Sequence, residues 1–129
     1  GAGGIGLALA RELGANGMNV VIADIDQVQL AANASNSDTG FSVDTTGHNI
    51  AIIDYTLEST NGVRVGRIRM ATDVSASTST IDDSYTETAT INVQFNVDIS
   101  VGSTMKLQYT DSDNLISKFK YTYKLWNSN

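Results

Sequence analysis

Three glycines and one aspartate near the start of the chain are spaced as nucleotide chemistry requires. Gly1, Gly3 and Gly6 form a G-x-G-x-x-G spacing. The absent side chains of such a motif permit a tight turn, close approach of the backbone to a pyrophosphate, and a helix packed closely on a strand. Ile5, Leu7, Ala8, Leu9 and Leu13 suit a short helix that the run from Gly14 to Gly17 would end. MNVVIADID then reads as a strand with Asp24 at its end, where a carboxylate could accept hydrogen bonds from the ribose of a dinucleotide.

Other residues offer different chemistry. His48 is the single histidine; with Ser42 or Ser59 and Asp44 or Asp54 it has the residue types of a hydrolytic triad, but no G-x-S-x-G elbow accompanies it. TTGHN reads more simply as a polar loop before a strand. Asp82, Asp83 and Glu87 form one acidic group and Asp111-Ser112-Asp113-Asn114 another. Two carboxyls about 5 to 9 Å apart can hydrolyse a glycosidic bond, but adjacent strand residues point to opposite faces, and both groups read as acidic turns. The DSDN run lacks the glycine and distant glutamate of a calcium loop, so no metal is expected. Arg64, Arg67 and Arg69 fall in one strand, with Arg67 and Arg69 on a common face; they could grip an acidic sugar or a neighbouring subunit, or serve as a solvated face. Trp126 offers a large contact surface for a sugar or a subunit.

Composition limits what these residues can serve. The chain has 129 residues, 41% of them hydrophobic, which suffices for one domain with a real core. A formal net charge of −6 disfavours nucleic acid and anionic membranes as partners. There is no apolar run near 18 residues and no signal-peptide pattern, so membrane insertion is not expected. No cysteine is available for disulfides or zinc-thiolate sites. With no proline, turns rest on Gly, Asn, Asp and Ser.

Beyond Gln27 the pattern changes from helical to alternating. Strands are expected at 49–58, whose apolar positions include Ile50, Ile52 and Leu57, and at 62–72, with Val63, Val65, Ile68 and Met70. Asn61-Gly62 between them signals a two-residue hairpin. The inward phase slips between Val65 and Ile68, and Gly66 suggests a β-bulge there. Residues 89–100 place Ile91, Val93, Phe95, Val97 and Ile99 on one face; 104–111 place Met105, Leu107 and Tyr109 inward; 117–126 place Phe119, Tyr121, Tyr123 and Leu125 opposite Trp126. Shorter strands are expected at 28–32, 40–44 and 78–82. This describes a mostly β protein: an antiparallel, jelly-roll-like β-sandwich over 28–129, with a short N-terminal helix and strand in 1–27 that dock on it or belong elsewhere.

Two resemblances follow from these motifs. Residues 1–26 resemble the opening of short-chain dehydrogenases/reductases, which implies NAD binding through Gly1, Gly3, Gly6 and Asp24. That family also implies a Tyr-x-x-x-Lys pair, and no tyrosine here has a lysine four residues on. Over about 28–126, the ordered elements IAIIDYTLE, RVGRIRMATD, IDDSYTET, INVQFNVDISVGSTMKLQYT and KFKYTYKLW resemble a β-rich module near the ends of bacteriophage tail fibres and related virion structural proteins. This broader resemblance implies a non-enzymatic structural role without cofactor in the virion, self-association as a homo-oligomer, trimer favoured, and contact with cell-surface glycan. A dehydrogenase-like fragment or fusion is the alternative.

Overall fold

The computed structural model describes residues 20–22, 26–30, 36–113 and 117–127. The expected N-terminal helix, Gly1, Gly3, Gly6 and Asp24 lie outside them. Nine strands are described: β1 (Val20–Ile22), β2 (Asp26–Leu30), β3 (Ser37–Asp44), β4 (Ile50–Glu58), β5 (Val63–Asp73), β6 (Thr78–Glu87), β7 (Val93–Asp98), β8 (Thr104–Asp111) and β9 (Ser117–Trp126). The larger sheet runs β1-β9-β4-β5-β6, with β2 also pairing β9, and the smaller runs β3-β8-β7. All pairings are antiparallel. The fold is therefore mostly β, two antiparallel sheets sharing one core, and no helix occurs among the described residues. A division between 27 and 28 would cut β2, which pairs with β9 from Asp26 to Leu30.

The alternating pattern builds the core. On β4 the inward set is Ala51, Ile53, Tyr55 and Leu57, and Ile50 and Ile52 lie on the outer face. On β8, Met105, Leu107 and Tyr109 are buried, and on β9 so are Phe119 and Tyr121. Burying each such side chain contributes about 1.5–3 kcal/mol. Aromatic contacts fasten the sheets together. Phe95 of β7 lies 5.3 Å from Tyr55 and 5.3 Å from Phe119, and Phe41 of β3 lies 4.9 Å from Tyr123 and 5.6 Å from Tyr121. β3 is irregular between Asp38 and Ser42. There the buried Thr39 hydroxyl donates to the Leu107 carbonyl and accepts from the Phe41 N–H, which keeps polar groups satisfied across the break.

Four expectations are corrected. The β4–β5 register is unbroken from Ile50↔Ala71 to Glu58↔Val63, so there is no bulge at Gly66. The phase of β5 is instead set by its even positions: Arg64, Ile68, Met70 and Thr72 are buried, while Val63 and Val65 are 38% and 53% exposed. Gly66 is small for another reason, since a Cβ there would lie 2.8 Å from the Tyr55 ring. The β4–β5 connection spans four residues, 59–62, closed by the Ser59 N–H to the Gly62 carbonyl. Gly62 serves close approach, because a Cβ would lie 2.7 Å from Thr88 Oγ1. IDDSYTE, read as a turn, lies within the ten-residue β6, because pairing with β5 supplies the order that its few apolar residues do not signal. β7 is shorter than the expected 89–100, although Ile91 and Val93 are buried and Phe95, Val97 and Ile99 pack on the core as expected.

These glycine environments predict opposite outcomes. Gly66→Ala must displace the Tyr55 ring and should lower unfolding free energy by about 1–3 kcal/mol. Gly102→Ala, with no atom within 4 Å of the added Cβ, should be neutral or slightly stabilising. Urea denaturation of both variants checks this.

Candidate functional site

Arg64 is 1% exposed, an unusual location for a guanidinium. Its phase on β5 sends it into the core beneath the segment leading from β6 to β7. Nε donates to Glu87 Oε2 at 3.1 Å, Nη1 to the Val93 carbonyl at 2.9 Å, and Nη2 to the Ile91 carbonyl. Asp83 Oδ2 lies 3.9 Å from Nη1, and the Tyr85 ring covers the guanidinium at 3.9 Å to its centroid. Asp83 in turn accepts from the Tyr55 hydroxyl at 2.8 Å, and Glu87 accepts from the Ile91 N–H. Burial holds the Tyr55 hydroxyl well above its usual range, reinforced by the Asp83 carboxylate. Burial also raises the Asp83 carboxyl, against the lowering by Tyr55 and Arg64.

Asp83 and Glu87 share a face of β6 and flank one guanidinium, so Arg64 stands between the two carboxylates where a glycosidase would hold its sugar. Asp82 points to the other face and pairs with Arg69. Arg67 binds Asp54 through Nε at 2.7 Å and Nη2 at 3.1 Å. Of the expected surface of Arg64, Arg67, Arg69 and Trp126, the structure therefore withdraws Arg64. Arg64 is buried on the opposite face, Arg67 and Arg69 are exposed but paired, and Trp126 lies half-buried beside Ile50 and Val20 at the end of β9. The alternating valines around Arg64 concealed its inward phase in the sequence. The signal available was the trio Asp83, Tyr85 and Glu87, which pairs across from it.

His48 lies in the loop 45–49, its N–H bonded to the Asp44 carbonyl. Ser59 is at the far end of β4, roughly 30 Å away. The carboxylates of Asp111 and Asp113 serve as acceptors: Asp111 from the Asp113 N–H, and Asp113 from the Asn92 N–H at 2.9 Å, the Asn92 amide and the Asn61 amide. Among the described residues no group of three His, Cys, Asp or Glu could hold a metal, and no helix is long and apolar enough to cross a membrane. β1 and β2 both run antiparallel to β9, whereas a dinucleotide site is built at the carboxyl edge of parallel strands.

The open concavity lies at one end of the sandwich. Three loops meet there, 45–49, 74–77 and 99–103, and each is started by an aspartate that accepts from a residue two positions on: Asp44 from Thr46, Asp73 from Ser75, Asp98 from Ser100. A cleft of about 680 Å³ opens between the first two of these loops and the strand ends beside them, floored by Ile50 and Ala71 and lined by side chains that carry hydroxyl and amide groups, including Thr46, Asn49, Thr78 and Thr80. A depression of about 180 Å³ adjoins it and shares Thr45, Thr72 and Val74. Ser77 and Ser103, with φ of 54° and 57°, both line that depression. Val74 and Val101 at its rim are exposed. The sequence hid this cleft because its residues come from loops and strand ends that are far apart in the chain.

No protein-family model matches the chain, and no curated protein matches it.

Two measurements test this electrostatic picture. Arg64→Met strands Asp83, Glu87 and two carbonyls and should cost about 3–5 kcal/mol in urea, whereas Arg67→Ala and Arg69→Ala, which lose exposed pairs, should each cost below about 1 kcal/mol. Hydrogen bonds hold the Asp113 carboxyl below its usual range, chiefly from the Asn92 N–H. Its contribution is thus present above the unfolded value of about 3.9 and lost as pH falls through the depressed folded value. The stability gap between the native chain and Asp113→Asn should therefore shrink between about pH 6 and pH 2, followed by thermal unfolding across that range.

Proposed function

We propose that the chain is a non-enzymatic module of a phage-type virion structural or tail-fibre protein, acting in assembly and in contact with host-surface glycan. The observation that carries this reading is where polar groups converge. The charged clusters are closed on one another, with Arg64 held by Glu87 and two carbonyls and Arg67 and Arg69 by Asp54 and Asp82. The largest described concavity is the loop-end cleft, whose lining side chains carry hydroxyl and amide groups, the chemistry that complements sugar hydroxyls. Net charge of −6 disfavours an anionic glycan on bulk electrostatics and favours a neutral one.

Assembly is supported by the edges. β6 closes the larger sheet with ten regular residues, and no strand pairs beyond it among the described residues. A neighbouring copy would cover this edge, as isolated regular edges favour aggregation.

Sedimentation equilibrium should give a trimer, and a monomer at all concentrations would contradict the assembly role. A neutral-glycan array should show retention of uncleaved glycan that Thr80→Trp, which fills the cleft, weakens; an array without signal would remove the recognition role.

A further inference from the structure

Tyr85 is the one aromatic side chain among the described residues that stands largely in solvent, 50% exposed. Exposed tyrosines ordinarily turn freely. Here one face of the ring lies against the Arg64 guanidinium, and that guanidinium is itself pinned to Glu87, Val93 and Ile91. The ring is thus presented at a fixed angle with its other face open, and the rotamer entropy that binding would otherwise remove is already spent.

Alternation along β6 puts Asp83 and Glu87 on the same face as Tyr85, one on each side. Their side chains are 16% and 19% exposed. Glu87 uses Oε2 for Arg64 and for the Ile91 N–H; among the described residues neither its Oε1 nor the Tyr85 hydroxyl makes a hydrogen bond. A flat apolar ring flanked by fixed carboxylate acceptors matches a pyranose, which offers a face of C–H groups and a rim of hydroxyl donors. We propose that Tyr85 is the stacking platform of a neutral-sugar subsite, with Asp83 and Glu87 accepting from the sugar's hydroxyls. A cationic peptide fits less well. Arg64 already lies under the ring and matches the carboxylates, so a second cation above the ring would face a like charge through it.

This inference rests on the glycan reading of the chain but not on the loop-end cleft, which is built by other residues. The test uses saturation-transfer NMR on the full chain with maltotriose, cellotriose, lactose and methyl mannoside, and with trilysine as the cationic probe. At least one neutral sugar should receive saturation at its ring C–H groups with millimolar affinity. Tyr85→Phe should retain this signal, and Tyr85→Ala should weaken binding by about tenfold or more while keeping the native circular dichroism. Thr80→Trp, in the cleft, should leave the loss caused by Tyr85→Ala unchanged. Equal binding by the native chain and Tyr85→Ala, preference for trilysine, or no response to any of the four sugars would each overturn the proposal. If Thr80→Trp alone removes the signal, the cleft is the glycan site and the Tyr85 subsite is wrong.

Discussion

A guanidinium withdrawn from water must find partners for its five donors, and that requirement at Arg64 organises one side of the molecule. It fixes the phase of β5, so that Val63 and Val65 turn outward and Gly66 turns inward, where it leaves room for the Tyr55 ring. It also accounts for the acidic residues on the inner face of β6, because Asp83 and Glu87 are the counter-charges. The carbonyls of Ile91 and Val93 complete the shell. Through them the arginine ties the larger sheet to the segment that carries the chain into the smaller one. Apolar residues of similar volume could close the same gap without desolvation cost, so the arginine serves geometry, including the fixed Tyr85 ring above it, more directly than stability.

The rest of the core follows ordinary physical rules. Aromatic rings from β3 and β7 lock onto β9 and β4 between the sheets. The two ends of the sandwich are stabilised by aspartates that satisfy loop N–H groups. At one end Asp44, Asp73 and Asp98 each begin a loop, and at the other Asp113 joins Asn92 and Asn61. In a chain without proline, these side chains do the work of setting turns.

Strands whose two faces differ sharply were legible in the sequence. β8 and β9 alternate apolar and polar residues, and the buried sets Met105, Leu107, Tyr109 and Phe119, Tyr121 are those the alternation picks out. β4 is apolar on both phases at Ile50 to Ile53, so existence could be read but not orientation. β5 misled because its valines lie on the solvent face and its arginine inside, a reversal that only the partners on β6 explain. β6 itself reads mostly as a turn in the sequence, since an edge strand with polar residues on both faces carries no periodic signal. The candidate surface of arginines and Trp126 loses Arg64 to the core, and its other two arginines face carboxylates: charge on one strand says nothing about which charges across the sheet will neutralise it.

The most direct test of this arrangement is hydrogen exchange of the arginine Nε–H groups, resolved by NMR in the native chain. The Arg64 Nε–H should exchange far more slowly than those of Arg67 and Arg69 and show contacts to the Tyr85 ring. Equal, fast exchange at all three positions would mean that Arg64 faces solvent. The phase of β5, the role of Gly66 and the fixed presentation of Tyr85 would then all be wrong.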